Sequence, residues 1–184
     1  MTLLGFVRKY VGLDKALFAT HAHRFRFVHE RTEVLPGVFV LPRIGGHHPR
    51  PSRNRALFVR QGGVLALDDF RHEVIVAIRE RDSLVVLTAC SHNGLVNMVE
   101  TVSTEFPGAS IKAVVGGFHL AALPPLRGMS ESARAVADIG QSVLDHGVGT
   151  TYTGHCTGTR AFDVLRGAMG DRVREIRAGS RLEL

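Results

Sequence analysis

The sequence predicts an α/β fold built on a layered sheet. After residue 56, short Val- and Ile-rich runs alternate with helically patterned segments, as strands and helices stacked in layers do. Three of those runs end in small residues followed by a histidine. The 184 residues, 45% hydrophobic and 22% charged, suit one globular domain over 1–184. A chain of that length buries about 70% of its unfolded surface.

Leu3 to Val11 has apolar residues at 3, 4, 6, 7 and 11 and reads as a short helix. His21 to His29 is basic and aromatic. Pro36-Gly37 turns the chain into a strand, Val38 to Leu41. Residues 42–55 are punctuated by Pro, Gly and Ser and offer almost nothing to bury, so they read as a loop. Strands follow at Ala56–Val59, Val64–Leu67, Val74–Ile78 and Leu84–Thr88. Gly94 to Phe106 carries Leu95, Val99, Val102 and Phe106 at helical spacing and is closed by Pro107-Gly108. Ile111 to Val115 is a strand. Ser130 to His146 is a helix capped by Ser130, with Gly147 at its end. Gly149 to Thr153 is a strand, and Thr157 to Met169 a helix ended by Gly170. Val173–Ile176 and Arg181–Leu184 read as two closing strands.

Several classes are excluded. The longest nearly uncharged stretch, Ala113 to Leu126, is too short for a membrane span and holds a histidine and two prolines. Met1 to Leu13 lacks signal-peptide shape, because Arg8 and Lys9 interrupt its apolar patch. Two cysteines cannot staple a disulfide scaffold, so a reducing, cytoplasmic setting is expected. The net charge of +6 is local. Residues 1–60 hold nine Arg and two Lys against Asp14, Glu30 and Glu33, while the remainder is slightly acidic. Twenty of the 23 basic residues are Arg, which suits bidentate contact with phosphate or carboxylate. An arginine-rich genome would leave the same pattern. The first third shows no nucleic-acid-binding motif, so nucleic acid is not expected as a partner.

The informative pattern is positional. Leu84–Thr88 runs into Ala89-Cys90-Ser91-His92, Ile111–Val115 into Gly116-Gly117-Phe118-His119, and Gly149–Thr153 into Gly154-His155. In open α/β sheets, ligands bind at the carboxyl ends of strands. Neighbouring strands lie roughly 5 Å apart, so three such histidines can share one crevice and one metal ion. A lone histidine at a strand end is more often a hydrogen-bonded loop residue. Three in one setting favour a site. Cys90 and Cys156 lack the paired spacing of a structural zinc site and read as small buried residues, with Cys90 able to face the site. Asp68-Asp69-Phe70-Arg71-His72-Glu73 could supply a general base or orient a ligand histidine, or be a solvated turn. His21-Ala22-His23 and His47-His48 read as exposed loop residues.

Leu84-Val-Val-Leu-Thr-Ala-Cys-Ser-His-Asn-Gly-Leu-Val-Asn97, Val115-Gly-Gly-Phe-His-Leu120 and Gly154-His-Cys-Thr-Gly158 together resemble the dihydropterin synthase-like branch of the metallo-β-lactamase superfamily. Asp68 to Glu73 resembles that branch's acidic segment, and Arg172 to Leu184 its closing strands. The likeness is strong from about residue 64 onward and weaker over 1–63, where His21 to Phe25 resembles the histidine-bearing segment after the first helix. The resemblance implies an αββα sandwich with a metal site between its two sheets. It places His92 and His155 on metal-ligand positions. His119 falls to substrate contact or electrophilic assistance, with metal ligation open to it. Within the matched segments, Cys90, Ser91, Asp69 and Thr157 are the candidate substrate-binding residues. Zinc is the expected metal, with manganese or iron as alternatives.

The superfamily's His-x-His-x-Asp-His motif is absent, so the sandwich is expected to be N-terminally incomplete. The implied function is metal-dependent hydrolysis or group transfer on a small anionic, phosphorylated or pterin-like molecule. The alternative is a non-catalytic remnant or subunit that pairs with a separate N-terminal half. A homo-oligomer is left open. With two histidine ligands and a third in reserve, metal is expected to bind weakly and hydrolase activity of the isolated chain to be slight.

Overall fold

Residues 2–3, 7–122 and 128–183 are described by a computed structural model. The elements run β1 (Thr2–Leu3), β2 (Val7–Arg8), α1 (Lys15–Thr20), β3 (Thr32–Leu35), β4 (Val38–Leu41), β5 (Phe58–Gln61) and β6 (Val64–Leu67). Then come β7 (Ile75–Glu80), β8 (Ser83–Leu87), α2 (Leu95–Glu105), β9 (Ser110–Gly116), α3 (Ala133–Asp145), β10 (Thr150–Thr153), α4 (Thr159–Met169) and β11 (Val173–Glu175).

Seven strands form one sheet in the order β11-β10-β9-β8-β7-β4-β3. The β8, β9, β10 and β11 side is parallel, so Val86, Val114, Thr151 and Val173 stand in a row across it. The β7, β4 and β3 side is antiparallel. Parallel pairing follows from the helices inserted between β8 and β9 and between β9 and β10, since parallel neighbours need a crossover.

Helices α2, α3 and α4 bury their apolar stripes on one face of this sheet. Val99 and Val102 from α2, Val136 and Val143 from α3, and Leu165 from α4 are fully buried with Leu84, Val86, Ile75 and Ala77. Each such side chain contributes about 1.5–3 kcal/mol on leaving water. The opposite face carries Val85, Ala113 and Tyr152, flanked by Ile78, Leu87, Val115, Ile176 and Leu182. A register shift lets Leu84 pair with Ile111 and Val85 with Ala113, which leaves Lys112 as the extra residue of a bulge. Lys112 turns outward to Glu80 at 2.8 Å. The bulge is why Ile111 and Val114 both join the helix-side core.

Several expectations are corrected. The segment expected as a helix at Leu3 to Val11 instead pairs Thr2 with Arg8 and Leu3 with Val7 in an antiparallel ladder. The first helix starts at Lys15, where the Asp14 carboxylate accepts from the Ala16 N–H at 2.9 Å and caps it. Ser132, rather than Ser130, caps α3 through the Ala135 N–H. Ser130 belongs to an extended return in which its N–H donates to the Leu120 carbonyl at 2.8 Å. Strands β5 and β6 form their own hairpin outside the main sheet. Residues 181–183 form no strand, and Leu184 lies outside the described residues. Strand β3, at the sheet edge, was not expected. No helix of the described residues is long and apolar enough to cross a membrane.

Candidate metal centre

Because β8, β9 and β10 are parallel neighbours, their carboxyl ends lie along one edge. Each end turns through a non-glycine residue in the left-handed region: Ser91 at φ 55°, His119 at 53° and His155 at 51°. Such conformations are uncommon and cost of order 1–3 kcal/mol, so the surroundings must impose them. They do so by cross-links between the ends. The Ser91 hydroxyl is fully buried and donates to the Gly117 carbonyl at 2.8 Å. The Phe118 N–H donates to the Thr157 hydroxyl at 3.0 Å, and Thr157 shares a 2.6 Å hydrogen bond with Thr153. The Gly117 N–H donates to the Ala89 carbonyl, and the Ala121 N–H to the Cys156 carbonyl.

His92 is held on several sides. Its ring stacks on Phe70, with centroids 4.2 Å apart and planes 8° from parallel. Its Nδ1 lies 3.0 Å from Asn54 Oδ1, while Asn54 Nδ2 donates to the His92 carbonyl at 2.7 Å. The Asn54 oxygen must therefore accept, so Nδ1 carries the proton and Nε2 keeps a lone pair. The Glu73 carboxylate accepts from the backbone N–H groups of His92 and Asn93, both at 2.7 Å, and from the Asn93 side chain at 2.8 Å.

His119 packs against His92 with ring centroids 4.1 Å apart. It is 5% exposed, and neither ring nitrogen has a partner among the described residues. Burial, followed by the nearby charges of His92, Arg53 and His155, pushes its pKa down to about 3. The ring is neutral, with one donor and one acceptor unused.

The ligand atoms of Cys90, His155 and Cys156 all lie within 4.8 Å of one another. His155 is exposed, and both cysteines are half-buried. Gly117 makes this possible, since a Cβ there would stand 2.6 Å from Cys156 Sγ. The His119 N–H donates to Cys156 Sγ at 3.2 Å. Cys90 lies against Cys156 and His92, and these neighbours, the Cys156 hydrogen bond first, draw its pKa down to about 4. Cys156 moves up, first through the Cys90 hydrogen bond and then through burial.

The structure brings His92, His119, His155 and Cys90 to one edge. It places the other candidates differently. Ser91 and Thr157 are fully buried and spend their hydroxyls on joining strand ends. Asp69 sits at the surface, capping the Arg71 N–H and paired with the Arg71 guanidinium at 2.6 Å. Sequence reasoning passed over Asn54, which sits in a 3-10 turn, Ser52–Ala56, within the segment expected to be plain loop. It read Cys156 as a buried residue, where the strand topology sets it beside Cys90. His48, expected to be exposed, is half-buried and pairs with Glu100 at 2.8 Å. An apolar cavity of about 310 Å³, lined by Leu95, Phe118, Leu120 and Ile139, lies beside the site without touching its histidines.

No family model matches the chain. It is 29% identical over 150 residues to the 7,8-dihydropterin-6-methyl-4-(β-D-ribofuranosyl)-aminobenzene-5'-phosphate synthase of Methanocaldococcus jannaschii, covering 79% of this chain and 48% of the relative. A crystal structure of a metal-dependent hydrolase of the β-lactamase superfamily matches with a TM-score of 0.68 and 30% identity, over 86% of this chain and 57% of that one. The chain thus spans about half the length of the relatives it matches. It has a metallo-β-lactamase-like α/β fold and is similar to both of these proteins.

Proposed function

We propose that the chain forms the site of a metal-dependent hydrolase or group-transfer enzyme acting on a small anionic molecule, phosphorylated or pterin-like. The observation that carries this is the His119 ring, 5% exposed, packed against His92 and with both nitrogens unpartnered among the described residues. Buried polar atoms without partners are rare and mark a place where a ligand, ion or water completes the bonding. The donor set beside it, Cys90, His155 and Cys156 within 4.8 Å, fits a divalent metal. His92 and His155 are the histidines that would hold it. Such an ion, once bound, polarises an electrophile or supplies hydroxide near neutral pH.

The chain's own residues do the rest. Asn54 and Phe70 aim the His92 ring with Nε2 unprotonated. His119, neutral at physiological pH, donates one hydrogen bond to developing negative charge without adding a charge of its own. Arg53, anchored on the Ala121 carbonyl at 3.0 Å, brings positive charge close enough to act on His119 and draws anions toward it. The two relatives support the class, one being a pterin phosphate synthase and the other a metal-dependent hydrolase.

The purified chain with added zinc, manganese or iron tests this. Phosphate-ester turnover, or saturable binding of a phosphorylated pterin followed by ring fluorescence, is expected to require metal and to weaken in His119→Ala and His92→Ala. Neither turnover nor binding, or equal values after chelation and in both variants, overturns it.

A second reading is a subunit that pairs with another polypeptide. In its favour, Phe58, Val64, Leu65 and Leu67 on the β5–β6 hairpin are exposed, and Tyr10, Val11 and Leu13 nearby in the chain's first segment are exposed as well. A monomer by light scattering at micromolar concentration counts against it.

A further inference from the structure

We propose that Cys90 and Cys156 are metal ligands alongside His155, forming a thiolate-rich site for a soft divalent ion, zinc before manganese or iron. The proposal rests on the metal-dependent reading above and names the ligands of that same site. Zinc bonds of about 2.3 Å to sulfur and 2.0–2.1 Å to nitrogen place tetrahedral donors within about 3.8 Å of one another. The three atoms already lie within 4.8 Å, so an ion closes them by about 1 Å or less.

The pocket is built rather than incidental. Its donors come from the ends of two strands, β8 and β10, that lie on either side of β9. The bare Cα of Gly117, at the end of β9, leaves the space that Cys156 Sγ occupies. The His119 N–H points at that sulfur from 3.2 Å, the bond that steadies a ligating thiolate. His155 is set in a left-handed conformation that only a fixed backbone sustains, and its exposure leaves an entry path for the ion. His92, with Nε2 unprotonated, stands next to Cys90 beside the set.

Two sulfurs change which ion is chosen. Thiolates and imidazole suit zinc, whereas manganese is served by oxygen donors. The donors also lie entirely within this chain, so metal retention does not depend on a His-x-His-x-Asp-His segment. Both sulfurs ligate as thiolates, so the proton still held on Cys156 goes to solvent on binding.

Cobalt(II) is the probe, because a cobalt–thiolate bond absorbs in the near ultraviolet whether or not the protein turns anything over. The reduced wild-type chain is expected to take up one cobalt with that band, and zinc to displace it stoichiometrically. Cys90→Ser and Cys156→Ser are each expected to lose the band and to weaken binding at least as much as the roughly 10–100-fold that loss of a supporting partner costs. Should a serine variant fail to fold, alkylation of the wild type replaces it. Zinc is then expected to protect both cysteines from iodoacetamide, read by mass. Cobalt bound without the thiolate band, or cysteines alkylated equally with and without zinc, overturns the proposal. A thiolate band without turnover leaves these ligands standing and removes the hydrolase reading. Metal-dependent turnover without the band does the reverse.

Discussion

Glu73 holds His92 by its backbone rather than by its ring. The carboxylate is 8% exposed, and Oε1 accepts from the His92 N–H at 2.7 Å while Oε2 accepts twice from Asn93. The acidic segment before β7 is thereby wired to the turn after β8. Glu73→Gln must present an amide N–H₂ to one of these donors. A loss of about 2–3 kcal/mol is expected, as for a charge-assisted bond turned into a clash of donors. Urea unfolding measures it, and an unchanged midpoint would remove Glu73 from this role.

Asn54 acts on the ring itself. Asn54→Ala frees Nδ1 and lets the imidazole rotate against Phe70. Zinc affinity is expected to fall about 10–100-fold while the unfolding midpoint moves little. Asn54→Asp, which keeps the acceptor for Nδ1, should recover part of the affinity. Competition with a coloured chelator reads both variants.

His119 gives the metal-free chain a pH dependence. Its folded pKa is depressed to about 3, against 6.5 for the unfolded group. Between those values the unfolded chain binds a proton that the folded chain refuses. Stability is therefore unaffected by this group above about pH 6.5 and declines as pH falls toward 3. His119→Gln should flatten that part of the stability profile. Chemical denaturation at pH 7 and pH 5 in both proteins decides it, and parallel slopes would refute the assignment.

Gly117→Ala tests the space beside Cys156. The new Cβ would meet Cys156 Sγ at 2.6 Å and the Ala89 carbonyl oxygen at 3.1 Å. Overpacking of this kind costs about 1–3 kcal/mol. The sulfur is expected to be pushed aside, so cobalt–thiolate absorption should drop more than helical content does. An undiminished band would show that the slot is looser than it looks.

The strand and helix order from β7 to α4 could be read in the sequence because Val, Ile and Leu there alternate or recur at helical spacing, and Gly or Pro marks the ends. The positions of His92, His119 and His155 followed, since each ends such a run. The first 60 residues were harder. Leu3 to Val11 has a spacing that suits either a helix or a short ladder, and only Asp14 carries a cap signal. Asn54 was invisible because its partner, His92, lies 38 positions away. Nothing in an Arg-, Pro- and Ser-rich stretch says which side chain points inward. Cys90 could be read as facing the site, but its pairing with Cys156 escaped for the same reason. Their spacing matches no local motif, and only the β8-β9-β10 order draws them together.

Cys90 and Cys156 are 66 positions apart. During synthesis the first waits, unmatched, until β10 has left the ribosome and paired with β9. An ion bridging the two, as proposed above, would thereafter act as a clasp on a long loop. Holding such a loop closed relieves the native state of an entropic cost that grows as about (3/2)RT ln n. Metal uptake would then be a late folding event as much as a catalytic preparation, and a chelator would loosen the whole parallel side of the sheet.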